Sequence, residues 1–188
     1  MFKLGMALFS LVIFISCQQE SQSEGSSKSM VERGAYLVTI AGCNDCHTPK
    51  KFTPQGPIPD ESLLLSGHPQ DAKLPELDPT KIGPDNWVRM SPLMTAFVGP
   101  WGMSYAANLT PDEQTGTGLW TEENFIQALR TGKHMGIGRP ILPPMPWFNL
   151  AKAKDEDLKA IFAYLRTIKP IKNLVPAPST PQDLLSKQ

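Results

Sequence analysis

Cys43, Cys46 and His47 stand together in the stretch CNDCH, and one chemistry uses all three. On a single helical turn, two thiols three positions apart can each form a thioether with a vinyl group of one porphyrin. The imidazole that follows can then turn toward the iron, which makes this the attachment sequence of a covalent c-type haem. A C-x-x-C pair also serves as a redox disulfide or as half of a zinc site. A histidine directly after the second cysteine fits neither use, and no later cysteine completes a zinc tetrahedron.

A haem held this way needs either a second axial ligand or an open sixth position. The loop GKHMGIGRPILPPMPWF, 132 to 148, is the place to seek that ligand. Met145 lies between Pro144 and Pro146, whose fixed φ angles predict an extended backbone that presents a thioether at little ordering cost. Ile141, Leu142, Trp147 and Phe148 can line the site with apolar surface. Met90, Met94, Met103, Met135 and His134 compete with Met145, and a methionine often serves only to fill a core. On local sequence the sixth ligand stays open among these.

Three helices must position these groups. Ser29 and Glu32 have the spacing of a capping box, and Val31, Leu37, Val38, Ile40 and Ala41 carry the first helix directly into CNDCH. Gly34 within it costs about 1 kcal/mol relative to alanine, which a close helix contact would explain. Thr121 caps the second helix, Glu122 and Glu123 suit its first turn, Phe125, Ile126, Ala128 and Leu129 form its buried face, and Gly132 ends it. The third runs from about Asp155 to Lys169 with Leu158, Ile161, Phe162, Leu165 and Ile168 on one stripe, and Pro170 stops it.

Between residues 49 and 111 lie eleven of the nineteen prolines together with Trp87, Phe97, Trp101 and Tyr105. That mixture predicts an ordered but irregular Pro-rich insertion without long helices. TAFV and GMSYA, flanking Gly99-Pro100-Trp101-Gly102, predict a small β-ribbon. His68 reads as a solvated loop residue. Asn108 to Thr110 matches an N-glycosylation sequon, read here as coincidence.

Residues 1 to 16 have a basic start at Lys3 and about twelve mostly apolar residues, the layout of an export signal too short to span a membrane. Phe14-Ile15-Ser16-Cys17 resembles the lipobox of bacterial lipoproteins, although those favour Leu where Phe14 stands; the resemblance implies cleavage before Cys17 and its lipidation. Residues 17 to 28 are polar and small and read as a flexible tether with a reach of roughly 20 Å. A globular domain over 29–170 and a Pro-rich tail over 171–188 complete the chain. The 18 basic and 18 acidic residues give a formal charge of zero, so no global field points to nucleic acid. No Ser-His-Asp set, phosphate loop or nucleotide fingerprint is present.

CNDCH, NLTPD, GLWTEENFIQALR, RPILPPMPW and DEDLKAIFAYLR occur in this order, and the chain over 31–170 resembles a class I c-type cytochrome. More narrowly, it resembles the cytochrome c domains that serve bacterial periplasmic and membrane-bound dehydrogenases. The resemblance implies a mostly α fold with crossed N- and C-terminal helices, one covalent haem c, and Met145 as the sixth ligand. It also implies Arg139 as a haem-propionate partner and Pro57 as the carbonyl that accepts from His47 Nδ1. Many relatives carry two or three attachment motifs where this chain has one. Lys154 stands where they place a Ser or Thr cap, so Asp155 is expected to cap one residue later.

The function expected on these grounds is one-electron transfer, with a redox donor and acceptor such as a dehydrogenase or a terminal oxidase, at the cell envelope behind a lipid anchor. The alternative is a haem enzyme or gas sensor with a displaceable sixth ligand and His134 as a distal residue. Lys50, Lys51, Lys133 and Arg139 are expected to rim the exposed haem edge and steer an acidic partner.

Overall fold

The computed structural model describes residues 27–186; the expected leader, Cys17 and most of the expected tether lie outside the described residues. Helix α1 occupies residues 27–40, so Ser29 and Glu32 lie within the helix and do not form its starting cap. It does not run unbroken into the cysteine motif. Gly42, at φ 66°, takes a left-handed conformation that glycine adopts without steric cost, and α2, Cys43–His47, starts after it as a separate helix.

Among the described residues, six helices and two small antiparallel sheets make up the regular structure. After α2 come β1 (Lys50–Thr53) and β2 (Gly56–Pro59), then β3 (Arg89–Met90), β4 (Ala96–Gly99) and β5 (Gly102–Tyr105). Helices α3 (Glu122–Thr131), α4 (Trp147–Leu150), α5 (Asp155–Leu165) and α6 (Pro181–Leu185) follow. The strands β1 and β2 pair as a hairpin with Phe52 opposite Pro57, while the second sheet has the order β3-β4-β5. The expected ribbon is the β4–β5 hairpin, closed where Gly99 faces Gly102.

The main core collects Val38 of α1, Leu65, Phe125 and Leu129 of α3, and Leu158, Ile161, Phe162 and Leu165 of α5. Leu158 and Leu165 are fully buried, a contribution of about 1.5–3 kcal/mol each. The Phe125 and Phe162 rings pack with centroids 5.3 Å apart. Helices α1 and α5 meet where Gly34 lies against Ala160: a Cβ on Gly34 would stand 1.9 Å from the Ala160 carbonyl oxygen. The close contact expected at Gly34 is therefore present. Arg33 of α1 reaches Asp157 of α5 at 2.6 Å beside it.

Capping follows the sequence at α3, where the Thr121 hydroxyl accepts from Asn124 N–H and Gly132 closes the helix at φ 65°. At α5 the cap position is Lys154, with no side-chain cap bond. Asp155 does not cap; its carboxylate accepts from Arg130 at 2.5 Å.

A smaller cluster of Ala96, Val98 and Met103 underlies the second sheet. The C-terminal segment straps across it. Ser179 and Met103 exchange backbone hydrogen bonds of 2.8 and 3.0 Å, and Asn173 Nδ2 donates to the Ser66 and His68 carbonyls at 2.7 and 2.9 Å. His68, expected in solvent, is buried; its Nδ1 lies 2.8 Å from Thr95 Oγ1 and its ring packs on Tyr105. Burial lowers its pKa. No helix among the described residues is long and apolar enough to cross a membrane.

Candidate haem-attachment site

Helix α2 holds Cys43, Cys46 and His47 within five residues. Both thiols are free despite their C-x-x-C spacing. Burial pushes Cys43 up to about 11 and raises Cys46 as well. Redox cysteines and zinc ligands need the opposite shift, toward thiolate, so the environment suits neutral sulfurs. Among the described residues no three His, Cys, Asp or Glu side chains are grouped as a metal ion requires.

His47 is buried, and its Nδ1 lies 2.8 Å from the Ala107 carbonyl oxygen. A carbonyl can only accept, so Nδ1 carries the hydrogen and Nε2 keeps the lone pair that a metal needs. Burial also lowers the His47 pKa, favouring the neutral imidazole that ligation requires. The backbone holds the residue from its other side, because Gly67 N–H donates to the His47 carbonyl at 2.8 Å.

The acceptor is thus Ala107, sixty positions further along the chain, and not Pro57. Pro57 sits in β2 opposite Phe52, where the hairpin takes it into an exposed two-stranded ribbon. Ala107 follows β5, and Gly67 brings the segment 66–68 onto it. A Cβ on Gly67 would lie 2.7 Å from the Ala107 oxygen, and its φ is 78°.

Lys50 is buried too, which removes it from the expected surface patch. Its ammonium donates to the carbonyls of Asn44, Asp45 and Thr48 at 2.8, 3.0 and 2.6 Å. All three of its hydrogens are spent on the carbonyls ending α2. Burial lowers the lysine's pKa, with Asp45 opposing. Lys51, next to it, is exposed.

Met145 lies partly buried against the main core cluster, which Cys43 also touches. Its backbone is not extended from Pro144: the Pro143-Pro144 bond is cis, and Met145 N–H closes a turn onto the Leu142 carbonyl at 3.3 Å. Two contacts fix this loop. The Trp147 indole covers Gly132, where a Cβ would meet it at 2.4 Å. Arg130 Nη1 donates to the Ala151 carbonyl and Nη2 to that of Ala153.

Two of the competing methionines sit elsewhere. Met90 is half exposed on β3 and Met103 belongs to the second cluster. His134 is exposed and meets Trp120 edge-on at 5.0 Å. Arg139 is exposed, and its guanidinium makes a long 3.4 Å contact with the Pro140 carbonyl.

The donor set fits haem c. The thiols are uncharged, the one imidazole is oriented with Nε2 free, and an apolar cluster shared by Cys43 and Met145 lies alongside. Sequence reasoning missed Ala107, Gly67 and the role of Lys50. Only Gly67 left a signal, as a glycine beside a histidine.

No protein-family profile matches the chain. Curated relatives of the chain include cytochrome c subunits of bacterial dehydrogenases, and this similarity supports a cytochrome c domain. In particular, the chain is 28% identical over 162 residues to the fructose dehydrogenase cytochrome subunit of Gluconobacter japonicus, covering 86% of this chain and 26% of that one. It is 26% identical over 152 residues to the cytochrome c subunit of the quinone alcohol dehydrogenase of Gluconobacter oxydans, with 80% and 24% covered. A nicotinate dehydrogenase subunit of Pseudomonas putida is 36% identical over 151 residues, 80% of this chain and 10% of that protein. The chain spans about a quarter of the first two relatives and a tenth of the third.

Proposed function

We propose that this chain is a monohaem class I cytochrome c that moves single electrons and catalyses no reaction of its own. The observation that carries the reading is His47, buried and fixed through Nδ1 on the Ala107 carbonyl so that Nε2 is left for iron. When bound, haem c supplies a one-electron ferric and ferrous couple. Cys43 and Cys46 would hold it through thioethers, and His47 would be one axial ligand.

Met145 is assigned as the other, on its place against the cluster that Cys43 touches. With the thioether of Met145 and the imidazole of His47 both holding the iron, the ferrous state would be favoured and the potential raised. Trp147 over Gly132 and Arg130 on the carbonyls at 151 and 153 keep the loop seated, so little rearrangement accompanies electron transfer. Helices α1 and α5 are the crossed terminal pair of that fold, and Arg139 remains the propionate partner carried over from the resemblance. The partner is a dehydrogenase, as the relatives' names suggest, with a second redox protein as acceptor. The apolar start of the chain and Cys17 support an exported domain, periplasmic or at the cell envelope, held to a membrane by a lipid anchor.

Replacing Met145 tests the reading. Met145→Ala is expected to keep covalent haem, lose the sulfur-to-iron charge-transfer band of the ferric protein and admit added ligands. If the band survives in Met145→Ala and disappears on substituting Met135, Met103 or His134, the assignment is wrong. Rapid carbon monoxide binding by the unaltered protein, with no such band, would favour a ligand-binding haem protein.

A further inference from the structure

Lys50 is held in a way that surface lysines are not. It is 7% exposed, and its three donor bonds go to the carbonyls of Asn44, Asp45 and Thr48. Asn44 and Asp45 are the two residues between the cysteines, so the ammonium sits against the backbone of the attachment turn. Only the protonated amine has three hydrogens to give; a neutral one would turn a lone pair toward a carbonyl oxygen. The geometry therefore describes a fixed positive charge, and no carboxylate salt bridge to Lys50 is found among the described residues.

We infer that Lys50 tunes the electron affinity of the haem, as a buried charge that stabilises the reduced state. The inference rests on the proposed haem attachment. Reduction adds one electron to the iron, taken from the reductant, and leaves the three protons of the ammonium in place. The positive charge favours that added electron. It also cancels the negative end of α2, whose last carbonyls would otherwise oppose reduction. Both effects act in the same direction, and burial weakens their screening by salt.

The test is a redox titration of the haem-loaded protein with mediator dyes, comparing Lys50→Met, Lys50→Arg and, as an exposed control, Lys51→Met. Lys50→Met should lower the equilibrium constant for reduction about tenfold, the order expected when one unit charge beside a redox centre is removed in a medium of effective dielectric near 20. For one electron that is a drop of 59 mV. Lys50→Arg should stay nearer to the unaltered protein, and Lys51→Met should change the constant less than twofold at moderate salt.

A shift below twofold in Lys50→Met overturns the inference, as does an equal shift in the Arg and Met variants, which would indicate packing. If Lys50→Met does not retain haem, Lys50→Gln, which keeps two donors, is read the same way. Loss of haem from both would overturn a tuning role, because the lysine would then be holding the attachment turn together. A chain with no reversible one-electron couple before any substitution would refute the proposed function itself.

Discussion

Adding one methyl group at Gly67 should disturb His47, the proposed iron ligand, without touching it. A Cβ there would lie 2.5 Å from the Ala106 oxygen, 2.6 Å from the Ala107 carbonyl carbon and 2.7 Å from its oxygen. Ordinary contact begins near 3.4 Å, so the 106–107 backbone must retreat by roughly 0.7 Å. Moved directly away from His47, the Ala107 oxygen would lie about 3.5 Å from Nδ1 instead of 2.8 Å, beyond a useful hydrogen bond. Overpacking costs about 1–3 kcal/mol, a left-handed backbone for alanine about 1–2 kcal/mol, and the lost bond about 0.5–1.5 kcal/mol. Together these predict a loss of about 2.5–6.5 kcal/mol. The weakened Nδ1 bond also makes the imidazole less basic, so the potential should rise.

Guanidinium unfolding of the haem-loaded protein reads the first effect and a mediated redox titration the second. Gly56→Ala is the control, since Gly56 has φ 113° with nothing within 4 Å of a Cβ; it bears backbone strain without the contact. The reasoning fails if Gly67→Ala and Gly56→Ala destabilise equally, or if Gly67→Ala leaves the potential and axial-ligand bands unchanged.

Gly34→Ala should lower stability by about 1–3 kcal/mol through overpacking against Ala160, although alanine is the better helix former by about 1 kcal/mol; a higher unfolding midpoint would refute the close contact. His68 has its folded pKa below the unfolded 6.5, so the unfolded chain binds more protons between the two values. Its stabilisation is then complete above about pH 6.5 and lost as pH falls through the folded value, and His68→Gln should flatten that part of the stability profile. Cys17→Ser should release a haem-loaded domain from membranes, and mass spectrometry finding an unmodified Cys17 in the unaltered protein would contradict the lipid anchor.

Helices α3 and α5 could be read from the chain because their signals are local: a capping Thr121, a stopping Gly132 and a periodic apolar stripe act within a few turns. The β1–β2 hairpin was hidden by Pro57 and Pro59, which lower strand propensity but are tolerated where both strands are edges. Backbone partners were harder still. Any residue type offers a carbonyl, so nothing marks Ala107 as the acceptor for His47, and nothing about Lys50 shows that three carbonyls converge on it. His68 misled for a related reason, since a polar residue among prolines and glycines reads as surface until Asn173, over a hundred positions later, covers it.

Asn108 bears on how the protein can be produced. Its Asn-Leu-Thr sequence is what a eukaryotic secretory pathway modifies on Nδ2, and modification during synthesis precedes folding. In the folded chain that nitrogen donates to the Ile171 carbonyl at 2.8 Å, with Asn108 4% exposed. The Asn108 oxygen meanwhile accepts from Thr110 N–H and Oγ1. A sugar on Nδ2 would stand where the chain leaving α5 must lie, and the strap could not close. Secretion from a yeast or insect host should therefore yield misassembled glycoprotein, while the same sequence with Asn108 left bare folds, which makes a non-glycosylating host a structural requirement.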